Sequence, residues 1–437
     1  MKLNIYIAFI GLSILGQVYA QERLTVKEAV EIALSNNYDI KLAKNNETIA
    51  KENTTYGNAG MLPSVTGNFS RNKTVQNSRQ VQSTGEERSL DNAKNNNMSY
   101  GVSLGWTIFD GLGMFARYDA LKEWQKLGEV EVKRMIVNQV SDVMTTYYSI
   151  VEQQNILGAM DSSIVISKER LRTAENRFSI GKASRLEVLN VQVNLNSDES
   201  ARIKQQQAVN NLKIVLNSLL ARDVSIDFTV EDVIKVNQDI ILGDLLDKSK
   251  RHNPDLLARS INKRIAELEL KNVKASRYPT VRLNGGYNIA ETESSLGFVT
   301  QSNSKGLNYG LTASVNLFDG FNQRRNERVA KMKISDADLE IDKAVLQIET
   351  SLTQAYLNYQ TNLALVKLES KNEQIAKQNL SITLDKYKIG TISSVEFRDA
   401  QENYINAVAR NSAALVQAKL SETLLKELVG EIDLILE

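Results

Sequence analysis

The sequence predicts a mainly α-helical protein with a β portion able to cross a membrane, built as a tandem duplication. Three observations predict it. First, similar strings recur at a fixed offset: WTIFDG at Trp106–Gly111 and VNLFDG at Val315–Gly320 lie 209 residues apart. RFSIGKASRLEVLNVQ from Arg177 matches KYKIGTISSVEFRDAQ from Lys386 at the same offset, as do Tyr147 and Tyr356. Second, each copy carries a stretch of alternating apolar and small polar residues just before its Phe-Asp-Gly. Third, each copy then runs without proline from Leu112 to Phe178 and from Phe321 to Tyr387. Upstream, Pro63 matches Pro279 and Asn37 matches Asn253 at an offset of 216, so a length difference is confined to the segment between. The expected organisation is an export signal at 1–20, a first repeat at 21–220, a connector at 221–240 and a second repeat at 241–437.

Each repeat reads as the same series of elements. A helix of about 35 residues comes first, Val26–Met61 and Ile241–Arg277, stopped by Pro63 and Pro279. A strand begins at Val65 and Val281. A polar, solvated loop follows, about Arg71–Asn97 and Glu291–Lys305, rich in Asn, Ser and charge. The second strand is the more informative. Tyr100, Val102, Leu104, Trp106 and Ile108 share one face and Gly101, Ser103, Gly105 and Thr107 the other. Tyr309, Leu311, Ala313, Val315 and Leu317 repeat that face in the second copy, opposite Gly310, Thr312, Ser314 and Asn316. About nine alternating residues suffice for a tilted strand through a bilayer. A half-buried strand of a soluble sheet gives the same alternation.

Asp-Gly after a strand usually announces a hairpin, yet a long helix-like segment follows both times. At roughly 1.5 Å per residue each would be about 100 Å long. Ile136, Val140, Val143, Tyr147, Ile150, Leu157 and Ile164 follow heptad spacing, matched by Val345, Leu352, Tyr356, Tyr359, Leu363 and Val366. Gln154 and Asp161 interrupt the seam, which predicts coiled-coil packing with a partly wet interior. Gly181 and Gly390 end these helices, and SRLE (Ser184–Glu187) and SSVE (Ser393–Glu396) open the next as Ser-x-x-Glu capping boxes. Shorter helices then run to Leu220 and Val429. Asp110 and Asp319 read as N-caps of the long helices, and Gly111 and Gly320 as the sharp bend from strand to helix.

Composition narrows the function classes. Hydrophobic residues are 42% and charged residues 24%, enough to bury a core. Lys2, the apolar run Ile5–Leu15 and Val18-Tyr19-Ala20 form an expected cleavable export signal, the run being short for a membrane anchor. Without residues 1–20 the formal charge is neutral, so no basic excess points to nucleic acid. There is no cysteine, hence no disulfide, thiolate chemistry or lipidated N-terminal cysteine. The one histidine, His252, has no catalytic partner in its neighbourhood of sequence, and no nucleophile or metal motif occurs. No enzymatic activity and no cofactor are expected. Beyond the signal no apolar stretch reaches membrane-helix length.

The duplicated order of helix, strand, loop, strand, Phe-Asp-Gly, long helix, Gly-x-x-Ser-x-x-Glu and helix resembles the TolC family of outer-membrane efflux proteins over essentially the whole chain after the signal. The resemblance implies a homotrimer in which each chain gives four strands to one twelve-stranded β-barrel, the helices continuing as a periplasmic α-barrel. Four strands are too few to enclose a passage, whereas about twelve are enough. It implies a passive duct of a tripartite efflux or type I secretion system in the outer membrane of a Gram-negative bacterium. The partners would be outer-membrane lipid, a periplasmic adaptor (membrane fusion protein) and an inner-membrane pump, and no nucleic acid. It carries a gate at the periplasmic tip onto Tyr387, Glu396 and Asp399, with Glu187 and Asn190 at the acidic positions of the first repeat. Glu396 is equally well explained as a capping residue. Adaptor docking falls on the turns Gly181–Ser184 and Gly390–Ser393. Phe109, Asp110 and Gly111, with Phe318, Asp319 and Gly320, would mark the seam between the two barrels, the phenylalanines at the membrane rim. Tyr38 departs from the pattern where the second repeat has Pro254, leaving the first helix start open, and the chain ends soon after its last helix. A secreted or surface-attached coiled-coil structural protein or adhesin accounts for the heptads and the signal but not for the paired strands.

Overall fold

The computed structural model describes residues 22–231, 233–296 and 299–431; the expected export signal lies outside them. In chain order the first repeat contains β1 (Glu22–Leu24), α1 (Val26–Asn36), α2 (Tyr38–Asn53), β2 (Ser64–Val81), β3 (Glu87–Asp110), α3 (Gly113–Ser179) and α4 (Arg185–Leu219). After β4 (Phe228–Val230) the second contains α5 (Leu242–His252), α6 (Pro254–Ala275), β5 (Thr280–Ser294), β6 (Gln301–Ser314), α7 (Asn322–Ile389) and α8 (Ser394–Val429).

The single first helix expected in each repeat is in fact two. The chain leaves helical geometry at Asn37 (ψ 134°) and at Asn253 (ψ 122°). The Asn253 side chain accepts from the Leu256 N–H at 3.0 Å, and Pro254 occupies the first helical position, where its missing N–H costs nothing. The Asn37 amide donates instead to the Leu219 carbonyl at 3.0 Å. Tyr38 and Pro254 therefore begin helices at equivalent positions despite their difference in chemistry. The reciprocal capping box occurs at Thr25 and Glu28, where the sequence reading had not placed one. At Ser184 and Ser393 the hydroxyls do accept from Glu187 and Glu396 N–H, each at 3.2 Å.

The chain forms two compact units, each drawing on both sequence repeats. One comprises residues 22–38, 136–246 and 351–431. Its core gathers Val140, Val143, Tyr147 and Ile150 of the α3 seam against Val30 of α1, Leu216 of α4, Phe228 of β4 and Val416 of α8. Truncating Ile150 or Leu216, both fully buried, to alanine would cost about 2–5 kcal/mol. β1 and β4 pair in parallel, and the Tyr147 hydroxyl fastens them, donating to Leu24 O at 2.8 Å and accepting from Glu231 N at 3.0 Å. In the second repeat Tyr359, not the offset-matched Tyr356, makes the analogous bond, to Asn237 O. Buried Glu422 accepts from Asn237 N at 3.1 Å and pairs with Lys419 and Lys426, so the connector after β4 is held to α7 and α8.

The second unit, residues 39–135 and 247–350, holds a four-stranded antiparallel sheet in the order β2-β3-β5-β6. The expected polar loops are largely strand. β2 and β3 continue pairing to Val81 and Glu87, and β5 and β6 to Glu293 and Gln301. Ladder bonds need only backbone groups, and short polar side chains add cross-strand links such as Ser70 to Ser99 at 2.8 Å. Conversely β6 stops at Ser314, short of the expected Leu317, because its partner β5 begins opposite it at Thr280. Val315 and Leu317 are exposed.

Candidate functional site

The register of the sheet sorts its residues onto two faces of opposite character. Val65 pairs with Leu104, Phe69 with Tyr100, Tyr287 with Val102 and Leu307, and Leu283 with Trp106 and Leu311, so these share one face. Thr66, Ser103 and Gly286 lie on the other, as do Asn68, Gly101 and Asn288. Phe69, Leu307, Tyr309 and Leu311 on the edge strands are 65–83% exposed, and Val102 and Tyr287 on the inner strands 50% and 46%, a contiguous apolar patch of the kind that marks an interaction surface. An apolar outward face opposite a small polar one is the pattern of a transmembrane barrel wall. Among the described residues the outer edges of β2 and β6 have no partner strand.

Both Phe-Asp-Gly sequences make the same backbone turn. Gly111 and Leu112 have φ of 70°, Gly320 and Phe321 φ of 66°. Two successive left-handed residues reverse the chain direction, and the second of each pair carries a side chain at a cost of about 1–2 kcal/mol. Asp110 Oδ1 accepts from Met114 N at 3.0 Å and Asp319 Oδ2 from Gln323 N at 2.6 Å. The aspartates thus serve the first free N–H groups as expected, but from two residues ahead of the capping position, which Leu112 and Phe321 occupy. Further support differs between the repeats. Arg117 pairs with Asp110 at 2.8 Å and also donates to Ala59 O and Asn272 Oδ1, each at 3.1 Å. In the second repeat Arg277 forms a bidentate pair with Glu327, whose carboxyl its hydrogen bonds hold down to about 2. Phe318 and Phe321 are exposed and meet edge to face, ring centroids 5.5 Å apart.

The far ends of the long helices lie in the first unit. Gly181 and Gly390 take left-handed φ of 76° and 86°, and Ser184 and Ser393 cap the helices that follow. Arg177, near the end of α3, donates to Tyr387 O at 2.5 Å and to Lys388 O at 3.2 Å, placing a cation on the carbonyl end of α7. Tyr387 is buried, its ring tilted against that of Phe397 with centroids 5.6 Å apart, and its hydroxyl lies 3.4 Å from Glu187 Oε1. Burial, with the Glu187 carboxylate, raises the phenol above its usual range. Glu396 and Asp399 are exposed one helical turn apart on α8. The Ser393 hydroxyl donates to Glu396 Oε1 at 3.1 Å, so the glutamate returns to the cap side chain rather than to its backbone. Behind them, Asp198 accepts from Ser167 at 2.8 Å and Arg398 at 2.5 Å, and Gln401 donates to Ser163 and Ser167 hydroxyls at 2.6 Å. Arg170 lies over the Phe397 ring and is 1% exposed, and among the described residues no group hydrogen-bonds to any of its guanidinium nitrogens. Desolvation lowers its pKa. None of Arg117, Arg170, Arg177 or Arg398 was singled out from sequence, where a lone arginine on a helix reads as a solvated side chain.

An amphipathic four-stranded sheet continued through turns into helices of 67 and 68 residues defines a wall segment of an outer-membrane duct. Comparison with known proteins agrees. The sequence matches the outer membrane efflux protein family in two stretches, residues 29–222 and 245–431, and the chain belongs to that family. It is 22% identical over 349 residues to Protein CyaE of Bordetella pertussis, covering 78% of this chain and 72% of that one. It is 23% identical over 400 residues to outer membrane protein OprJ of Pseudomonas aeruginosa, covering 88% and 79%. The fold is that of the Campylobacter jejuni CmeC outer membrane channel, with a TM-score of 0.77 at 19% identity over 93% of this chain and 85% of that one. The protein is an efflux channel of the Gram-negative outer membrane, extending into the periplasm.

Proposed function

We propose that three copies of this chain close into one duct, a passive exit path with no catalytic step of its own. The observation that carries the proposal is the open sheet: two unpaired edges, an apolar outward face and a small polar inward face. Unpaired edges of this length are templates for pairing with another chain, and twelve strands enclose a passage where four cannot. The helices support the same assembly. On α7, Leu357, Leu368, Ile375, Ile382 and Ile389 are exposed at spacings of eleven and seven. On α4, Leu186, Val193, Ile203 and Ile214 form a second exposed stripe. Stripes at helical period fit helices of a neighbouring copy.

In this reading the Phe-Asp-Gly turns are the seam where membrane barrel passes into periplasmic barrel, with Phe109 and Phe318 at the rim. The helix ends form the periplasmic gate. Tyr387 belongs to the closed contacts, and Asp399 and Glu396 line the constriction, Asp399 being free of the capping role that engages Glu396. The turns Gly181–Ser184 and Gly390–Ser393 receive a periplasmic adaptor, which bridges to an inner-membrane pump that supplies energy and selects cargo. The gate is tested by Asp399→Ala in bilayer recordings. Altered block by divalent cations or altered leak conductance supports the assignment, and unchanged conductance and block remove Asp399 from the gate.

A further inference from the structure

The outward face of the sheet changes character along its height, at Leu307 on β6 and about one outward position further toward the hairpin tips on the other three strands. From the end joined to the helices, the face is apolar up to Phe69, Tyr100 and Ile289. At roughly 3.3 Å per residue this apolar band is about 25 Å tall once strand tilt is allowed for. The next outward row toward the hairpin tips is mixed, Arg71, Met98 and Glu291, and the row after it is charged or amide: Lys73 on β2 pairs with Asn96 on β3, which pairs with Glu293 on β5, and Lys94 follows two residues beyond Asn96.

These four side chains line an open cleft of about 410 Å³, with Val75, Ser295 and Thr300 also in its lining. Among the described residues neither the Lys73 nor the Lys94 ammonium has a carboxylate within ion-pair distance. Asn96 donates to Glu293 Oε2 at 3.2 Å, but its own Oδ1 is buried without a donor. A buried acceptor left unmade costs free energy until a ligand or water supplies the donor. The cleft therefore asks for an anion with acceptor oxygens for two ammonium groups, joined to a hydroxyl that can donate to Asn96. Its position adds a third requirement, because the apolar band begins two outward positions below it, beyond Arg71, Met98 and Glu291.

From this juxtaposition we infer that Lys73, Lys94 and Asn96 form a headgroup site for a phosphorylated glycolipid of the outer leaflet, its acyl chains lying along the apolar band. Phosphate oxygens accept from the two lysines, and a sugar hydroxyl donates to Asn96 Oδ1 while Glu293 accepts another. Phosphatidylglycerol also supplies an anion, chains and headgroup hydroxyls, but a single phosphate for the two ammonium groups, which makes it the competing probe. The inference rests on the outer-membrane placement and on the helices marking the periplasmic end.

The test is binding of purified full-length protein in detergent to three probes: diphosphorylated lipid A, the same lipid with its phosphates removed, and phosphatidylglycerol. The expected result is preference for diphosphorylated lipid A by at least about tenfold, lost in Lys73→Ala/Lys94→Ala and kept in Lys73→Arg/Lys94→Arg, with Asn96→Leu weakening binding several-fold. Equal binding of the dephosphorylated lipid overturns the phosphate contact. Equal binding of phosphatidylglycerol overturns the glycolipid assignment, and wild-type affinity in the double alanine variant overturns the site. Planar-bilayer conductance of the same preparations separates this from the channel proposal. Pores that conduct without lipid A preference refute the site alone, and lipid A preference without pores refutes the channel reading alone.

Discussion

The Arg177 guanidinium donates to the Tyr387 carbonyl at 2.5 Å, so the last turn of α3 is tied directly to the last turn of α7. The residues are 210 apart in sequence and occupy nearly equivalent places in the two repeats, but the tie is one-sided. The position matching Arg177 in the second repeat is Lys386, whose single ammonium lacks the planar fork that reaches two carbonyls at once. The acceptor is a main-chain carbonyl, which Phe178, the position matching Tyr387 in the first repeat, also offers, so the asymmetry lies in the donor. Duplication gave two similar helix ends, and divergence made one of them the donor and the other the acceptor.

Arg177→Met is expected to loosen the helix ends by about 1–2 kcal/mol, the worth of a part-exposed charged hydrogen bond. Single-channel recordings should show higher leak conductance, with Arg177→Lys intermediate. Wild-type leak in Arg177→Met would mean that the tie does not restrain the gate.

The two glycines of the Phe-Asp-Gly turns should respond unequally to alanine. A Cβ on Gly111 would lie 2.2 Å from Ala275 O, a backbone atom that cannot give way, in addition to the strain of a φ of 70°. A Cβ on Gly320 meets nothing closer than Asn322 Nδ2 at 3.9 Å. Gly320→Ala should cost about 1–2 kcal/mol from backbone strain alone, and Gly111→Ala considerably more, seen as loss of assembled protein from the outer membrane. Equal effects would contradict the asymmetry of the two turns.

Arg170 is a buried cation without a hydrogen-bond partner among the described residues. Replacing such a charge with an apolar side chain of similar reach is often stabilising by about 1–4 kcal/mol. Arg170→Met should therefore raise the thermal midpoint of the purified protein. A fall of several degrees would mean that the guanidinium contributes more through its stacking on Phe397 than its burial costs.

Glu427 offers a pH test. Burial raises its pKa, only partly offset by the Ser141 hydroxyl donating at 2.5 Å. A carboxyl whose folded pKa is raised contributes stability that is fully present below its unfolded value, about 4.5, and lost as pH rises through the folded value. Asp142 and Glu152 are shifted the same way by burial. Wild type should lose thermal stability relative to Glu427→Gln, which keeps the hydrogen bond without the charge, as pH rises above the unfolded value of about 4.5. Parallel curves for the two proteins would refute the assignment.

The parts of this fold legible in sequence were those written in hydropathy or in chain-reversing residues. Val102, Leu104 and Trp106 alternate with Ser103 and Gly105, Gly181 and Gly390 end helices, and Val140, Val143 and Tyr147 repeat along a seam. The upper halves of the hairpins were illegible because Asn, Ser and Thr on both faces give no contrast of period two, although their backbones pair as well as any. The break at Asn37 was missed because Asn37 answers to a carbonyl at Leu219, 182 residues away, whereas Asn253 and Pro254 carried a local helix-start signal. Arg177 was missed for the same reason: its partner lies in the other repeat. Thr25 and Glu28, by contrast, carried a local signal that could have been read.

The central claim is that the chain works as a closed assembly of several copies in the outer membrane. It is tested most directly by extracting the protein from isolated outer membranes in mild detergent, measuring the mass of the particle by light scattering, and inserting it into planar bilayers. The account predicts a single species with the mass of three chains that forms ion-conducting pores. A one-chain species recovered in the soluble periplasmic fraction, with no conductance on addition to bilayers, would contradict it.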